Sequence, residues 1–196
     1  AAIPLAAPSA NPFGYVSPTT AEHVRDNLGN RIRYILDGGA SKIGLESTII
    51  DARDANKLRL LRPGAITPEQ IESTLGMAVK SVHSRATSGS QVAPGMLSQH
   101  YSPRAKVVLH SVLSLDATSQ SPDEARLYFA QPTGKPTIHT YWLDSSGNPQ
   151  RAAHNLFAQL RMLDEKGYSI LHAEKAPDGP YAAAINDRLE RAAAKT

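Results

Sequence analysis

The sequence predicts an α/β protein whose second half is a small parallel sheet covered by helices. Two observations carry this expectation. Short segments rich in aliphatic and β-branched residues, Lys106 to Val112, Thr137 to Leu143 and Tyr168 to Ala173, are separated by stretches of helical character. The clearest of those stretches, Pro149 to Lys166, sets Ala153, Leu156, Phe157, Leu160 and Leu163 at helical spacing on one apolar face. Short strands alternating with amphipathic helices make parallel units, because each strand needs a crossover to return beside its neighbour.

Taken in order, Ile3 to Ala7 reads as an apolar strand and Pro8 to Pro18 as a polar loop. A helix follows near Thr20, where Thr19 and Glu22 fit a capping box and Gly29 with Asn30 fits a stop. Ile32 to Leu36, Ser47 to Ala52 and Leu58 to Arg62 read as short strands, parted by Asp37-Gly38-Gly39 and Asp54-Ala55-Asn56 turns. Thr67-Pro68-Glu69 opens another helix, with proline at its first position, which ends at Gly76. From His83 to Arg104 the period is lost. Pro94, Gly95 and Pro103 interrupt it, and only Met96, Leu97 and Tyr101 could anchor the segment, so it reads as a long functional linker. The alternating strands and helices then begin and run to a last helix from Tyr181 to Ala194, without a glycine fingerprint for a dinucleotide. The expected organisation is therefore 1–82, a linker over 83–104, and a small Rossmann-like α/β domain over 105–196.

Composition bounds the function. Hydrophobic residues at 41% and charged residues at 20% supply enough apolar material for a core. The absence of cysteine excludes disulfides, thiolate zinc sites and cysteine redox chemistry, and fits a reducing, cytoplasmic setting. No apolar run approaches the roughly 20 residues that cross a bilayer, so a soluble protein with no membrane partner is expected. The net charge of +3 comes from scattered lysines and arginines, a diffuse footprint for direct tRNA binding. The seven histidines show no metal spacing with a carboxylate, and no protein-bound metal is expected. The chain opens on Ala1-Ala2-Ile3-Pro4-Leu5, without methionine and inside what reads as a buried strand, so truncation or processing is expected.

Three segments are too polar for packing alone: Pro8-Ser9-Ala10-Asn11, Gly44-Leu45-Glu46-Ser47-Thr48-Ile49-Ile50-Asp51 and Leu61-Arg62-Pro63-Gly64. Each lies at a strand end, where hydroxyls, a carboxamide and an arginine can converge on a phosphate or a small carboxylate. Ser9 and Asn11 are equally the residues of local turns, and Thr19 already has a task as a helix cap. Ser47 and Thr48 at a strand start are also ordinary surface hydroxyls. Arg62 is the sharper candidate, because its planar fork suits phosphate or carboxylate. In the linker, His100 and Tyr101 offer an imidazole and a ring, while a tyrosine buried as a loop anchor is the plainer account. Asn186-Asp187-Arg188 in the Ala-rich last helix reads either as a solvated face or as an interdomain contact.

Together these motifs resemble one family in order. Pro8-Ser9-Ala10-Asn11 with Ser17-Pro18-Thr19, Asp37-Gly38-Gly39, Gly44-Leu45-Glu46-Ser47-Thr48-Ile49 and Leu61-Arg62-Pro63-Gly64-Ala65-Ile66 come first. Pro94-Gly95-Met96-Leu97-Ser98-Gln99-His100-Tyr101-Ser102-Pro103 and Ala184-Ile185-Asn186-Asp187-Arg188-Leu189 follow. The pattern is similar to the long-form threonylcarbamoyl-adenylate synthases, which join a YrdC-like catalytic domain to a Rossmann-like domain through a linker over the active site. The resemblance implies that 1–82 is the C-terminal half of the catalytic domain. The family's threonine-and-glutamate and lysine-and-arginine motifs would precede this chain, so the 196 residues alone are expected to be inactive.

The implied reaction, a nucleotidyl transfer, converts L-threonine, bicarbonate and ATP into threonylcarbamoyl-AMP and pyrophosphate. A tRNA threonylcarbamoyl transferase machinery would then use the product. By motif, Ser9 and Ser47 look like L-threonine-binding positions, and Asn11, Thr19, Arg62 and Tyr101 look like ATP-binding ones. ATP would enter as substrate with Mg2+, and no catalytic base is assigned. The alternative reading is an RNA-binding or scaffold module without catalysis, supported by the basic balance and the independent C-terminal domain.

Overall fold

The structure is a computed structural model and describes residues 3–4, 7–82, 100–115, 121–134 and 138–194. The first helix, α1 (Ala21–Leu28), starts one residue later than the capping-box reading requires. Its N-cap is Thr20, whose hydroxyl accepts from the His23 amide at 3.3 Å. Thr19 instead donates its own amide to His23 Nδ1 at 3.1 Å. The stop at Gly29 is as expected, with its N–H returning to the Arg25 carbonyl.

Two further expectations fail in this part. Residues 32–36 form no strand, and Ile32, Tyr34 and Leu36 are exposed, Leu36 at 97%. An apolar alternation with nothing to pack against has no reason to pair. Ile3, Pro4 and Ala7 are likewise exposed and outside any strand, and the rest of the Ile3 to Ala7 reading lies outside the described residues.

The strands that do form are β1 (Ile49–Asp51), β2 (Arg59–Arg62) and β3 (Lys80–Ser81), in the order β1-β2-β3. β1 pairs antiparallel with β2, with a register irregularity between Ile49 and Ile50, and β2 pairs parallel with β3. Helix α2 (Pro68–Leu75) lies between β2 and β3 in sequence. Thr67 and Gln70 exchange reciprocal bonds in a capping box, and Gly76 closes the helix at φ 67, a left-handed conformation that favours glycine. Leu58, Leu60 and Val79, with Ile50, Ile71 and Met77 around them, make a small core here.

Beyond residues 83–99, which make up most of the expected linker and lie outside the described residues, the expected parallel sheet is present. Its strands are β4 (Lys106–His110), β5 (Glu124–Ala130), β6 (Thr140–Asp144) and β7 (Ile170–Glu174), in the order β4-β7-β5-β6, parallel throughout. β5 is the strand that periodicity missed. Glu, Ala, Arg and Leu are good helix formers, and that composition outweighed the inward alternation of Ala125, Leu127 and Phe129. Pairing on both edges, with β7 and β6, settles the conformation.

Helices α3 (Pro149–Glu165) and α4 (Ala182–Ala193) complete the second part. Leu156, Phe157 and Leu160 of α3 and Ile185 and Leu189 of α4 join Val107, Leu127, Phe129, Leu143 and Leu171 in one core. Val16, Leu45 and Tyr101 belong to the same core, so the segment before α1, the segment before β1 and the segment before β4 are all packed onto the second part. Gly44 shows how closely: a Cβ there would sit 1.7 Å from the His154 carbonyl oxygen of α3. No described helix is long and apolar enough to cross a membrane.

Candidate functional site

The polar motifs meet where the two parts join. Arg62, at the end of β2, is buried and turns its guanidinium onto the segment before β1. Nε and Nη2 donate to the Ser47 carbonyl at 3.2 and 2.9 Å, and Nη2 also reaches Ser47 Oγ at 3.2 Å. The two backbones can lie this close because Gly64 has no side chain. A Cβ at Gly64 would stand 2.4 Å from the Glu46 carbonyl oxygen. Thr48 Oγ1 adds a donor bond to the Ile66 carbonyl at 2.6 Å.

Glu46, next to Ser47, is the carboxylate at the centre. Ser17 Oγ donates to its Oε1 at 2.8 Å, and Arg188 of α4 donates Nε to its Oε2 at 3.1 Å. Arg188 is fully buried, and its Nη1 also reaches the Pro63 carbonyl at 2.6 Å and Asp187 Oδ2 at 2.9 Å. Arg188 is therefore not part of a solvated face but bonds to residues that precede β1 and follow β2. Asn186 is structural, exchanging two bonds with the Ala176 backbone.

Tyr101 sits under this cluster. Its ring stacks on Phe157 at 5.4 Å, Arg188 lies over it at 5.4 Å from the centroid, and it is 1% exposed. Its backbone has φ 58, a left-handed conformation costly for a bulky residue, which this packing holds in place. Burial raises its hydroxyl pKa, so the phenol remains a donor at neutral pH. The neighbouring His100 packs edge-on to Phe13 and Tyr101. Burial lowers its pKa, and its Nδ1 is buried without a hydrogen-bond partner.

The loop at 8–17 is gripped from the second part. Arg161 of α3, 1% exposed, donates to the Ser17 carbonyl at 3.0 Å, to the Val16 carbonyl, and to Asn27 Oδ1 at 2.8 Å. Tyr15 OH donates to Asp164 Oδ2 at 2.6 Å, and the Ser102 amide donates to the Gly14 carbonyl at 2.8 Å. Burial and the Asp164 carboxylate push the Tyr15 pKa up to about 12. Burial opposes ionisation of Asp164, but the donors from Tyr15, Arg104 and Ala105 outweigh it and hold its pKa below the usual value.

Of the six expected site residues, Ser47 and Arg62 touch, and Tyr101 joins them through Arg188 and Glu46. Asn11 lies in the gripped loop. Its Nδ2 donates to the Tyr15 and Pro12 carbonyls at 2.9 and 3.1 Å, which leaves Oδ1 buried and unbonded. Ser9 is exposed and its carbonyl accepts from the Asn11 amide, a turn bond. Thr19 is tied to the mouth of α1, to the His23 ring and to the Ser41 amide, and these bonds do not join it to the Ser47 and Arg62 pair.

Arg161 lies in none of the sequence motifs, and Ser17 enters only within Ser17-Pro18-Thr19, with no role assigned to it. The signal for Arg161 and Arg188 was phase: each sits one helical turn from apolar residues of the buried stripe, Phe157 and Ile185.

Comparison with known proteins gives this geometry a family. The profile described as "Threonylcarbamoyl-AMP synthase, C-terminal domain" matches residues 66–194. The chain belongs to that family. A second profile, described as "Telomere recombination", matches residues 1–64. Proteins named threonylcarbamoyl-AMP synthase are 33% identical in Pyrococcus abyssi and 35% identical in Bacillus subtilis, over 96% and 97% of this chain and 57% of each relative. The chain thus spans little more than half the length of those relatives. Among solved structures it is similar to P. abyssi Sua5 complexed with L-threonine, with a TM-score of 0.80 and 30% identity over 95% of this chain and 56% of that one.

Proposed function

We propose that the chain carries substrate-binding parts of a threonylcarbamoyl-AMP synthase, the nucleotidyltransferase that supplies the activated group for threonylcarbamoyladenosine in tRNA. The observation that carries this is the Arg62 and Ser47 pair, a buried guanidinium held beside an exposed serine hydroxyl at the joint of the two parts. Its relatives bear the synthase name, and a similar structure holds L-threonine.

In this reading L-threonine and bicarbonate lose water to form a carbamate. A carbamate oxygen attacks the α-phosphorus of ATP, forming the P–O bond of the mixed anhydride while the bond to pyrophosphate breaks. Such a transfer asks chiefly for alignment and for charge to meet the developing negative oxygens. Ser9 and Ser47 would hold L-threonine. Arg62 would meet phosphate, Asn11 Oδ1 and Thr19 would fix the nucleotide, and the protonated Tyr101 hydroxyl would donate to it. Mg2+ would arrive with ATP. The product would pass to the tRNA threonylcarbamoyl transferase machinery, in the cytoplasm.

Calorimetric titration of threonylcarbamoyl-AMP into the chain tests this, with Arg62→Ala beside it. Binding that weakens about a hundredfold in the variant is expected, in line with loss of charge-assisted bonds to a phosphate. Binding unchanged in Arg62→Ala, or steeply salt-dependent tRNA binding with no response to the adenylate, would overturn it.

A further inference from the structure

The geometry points to Arg188 as a positioning residue for the proposed substrate site, acting from the C-terminal domain through Glu46 and Pro63. This rests on the reading that Ser47 and Arg62 contact substrate.

Arg188 lies on the buried face of α4 between Ile185 and Leu189, neither of which is exposed at all. An arginine there costs desolvation that a leucine or methionine would not, so its bonds have to offset that cost. Apart from Asp187, its hydrogen-bond partners Glu46 and Pro63 lie in the other part of the molecule. They are also particular ones. Glu46 immediately precedes Ser47, and Pro63 immediately follows Arg62. One guanidinium thus grips a neighbour of each member of the substrate pair: Nε donates to the Glu46 carboxylate at 3.1 Å and Nη1 to the Pro63 carbonyl, while Nη2 lies in ion-pair contact with Glu46 at 3.1 Å without a hydrogen bond. The second Glu46 oxygen is taken by Ser17, which extends the grip to the loop carrying Asn11.

The task needs arginine. A planar fork can serve a carboxylate and a carbonyl at once, whereas lysine offers a point charge that reaches one of them. The ring of Tyr101 closes the remaining face of the guanidinium, so linker end, α4 and substrate motifs share one contact. The C-terminal domain thereby sets the spacing of the Ser47 hydroxyl and the Arg62 fork without touching the ligand.

The test compares the chain with Arg188→Met, Arg188→Lys and the double variant Arg188→Met with Glu46→Gln. Amide hydrogen exchange is read over 44–50 and 61–66 on one side and over 124–130 and 170–174 on the other. Arg188→Met is expected to speed exchange in the first pair of segments roughly a hundredfold while the second pair keeps its rates. Arg188→Lys should fall between, and Glu46→Gln should restore part of the protection by removing the stranded carboxylate. Titration of threonylcarbamoyl-AMP should weaken at least tenfold in Arg188→Met. Unchanged exchange at 44–50 and 61–66, or equal acceleration in all four segments, would overturn the positioning role. If the unsubstituted chain fails to bind the adenylate, the substrate reading falls, and the exchange pattern still decides the role of Arg188. Should Arg188→Met not fold, Arg188→Lys provides the same contrast.

Discussion

The two parts of the molecule are ordered by different means. The C-terminal part has a four-stranded parallel sheet, two helices and one continuous core. Among the described residues, the N-terminal part has three short strands and two eight-residue helices that bury no residue fully. Most of the exposed large apolar side chains lie there too, among them Phe13, Tyr34, Leu36 and Ile43. The N-terminal motifs are nonetheless tied into precise arrangements, and many of those ties come from the other part: Arg161, Asp164 and Arg188. A region with a small core of its own has its polar loops held by buried cations lent by its neighbour.

The strongest way to break this comparison is to force the parts away from each other. Gly44→Ala would drive a methyl group into the His154 carbonyl, backbone against backbone, and should cost about 4 kcal/mol or more. Chemical denaturation would measure it, with the loss expected first in probes on the N-terminal side.

Next in size is Arg161→Met. It leaves the Val16 and Ser17 carbonyls and the Asn27 amide oxygen without their donor, and should cost about 3 kcal/mol. Limited proteolysis within 8–20 should then run ahead of cleavage in the sheet. Thr67→Ala sharpens the comparison from the other direction. It removes a capping box from a helix without fully buried residues, should cost about 1 kcal/mol, and should leave the C-terminal sheet unaffected in hydrogen exchange.

The smallest effect is a pH dependence. Burial holds the His100 pKa below its ordinary 6.5, so the unfolded chain takes up the proton first as pH falls. Stability should therefore decline as pH drops below about 6.5, with His23 and His110, also lowered mainly by burial, contributing in the same direction. His100→Phe should flatten part of that decline in thermal unfolding followed from pH 7 to 5. A profile unchanged by the substitution would contradict the buried, neutral His100.

Much of the C-terminal part was legible because its signals are local: the stripe of α3 with proline at its start, and the apolar segments between the helices. β5 was hidden because its composition favours helix and only its pairing on both edges overrides that preference. In the N-terminal part the same kind of signal misled at Ile32 to Leu36, where alternation found no sheet to join. The ordered motifs led to Ser47, Arg62 and Tyr101, which the structure brings close together. They did not reveal the Arg161 grip, and for Arg188 they left a solvated face and an interdomain contact both open, since a buried cation reaching another part of the chain leaves only a break in phase along an apolar stripe.

Hydrogen exchange of the unsubstituted chain across a denaturant series tests the central claim most directly. Amides of β1, β2 and the Val16 and Ser17 segment should exchange through a partial opening of lower free energy, while those of β5 and β7 exchange only with global unfolding. A single opening shared by all of these segments, at every denaturant concentration, would contradict the dependence of one part on the other.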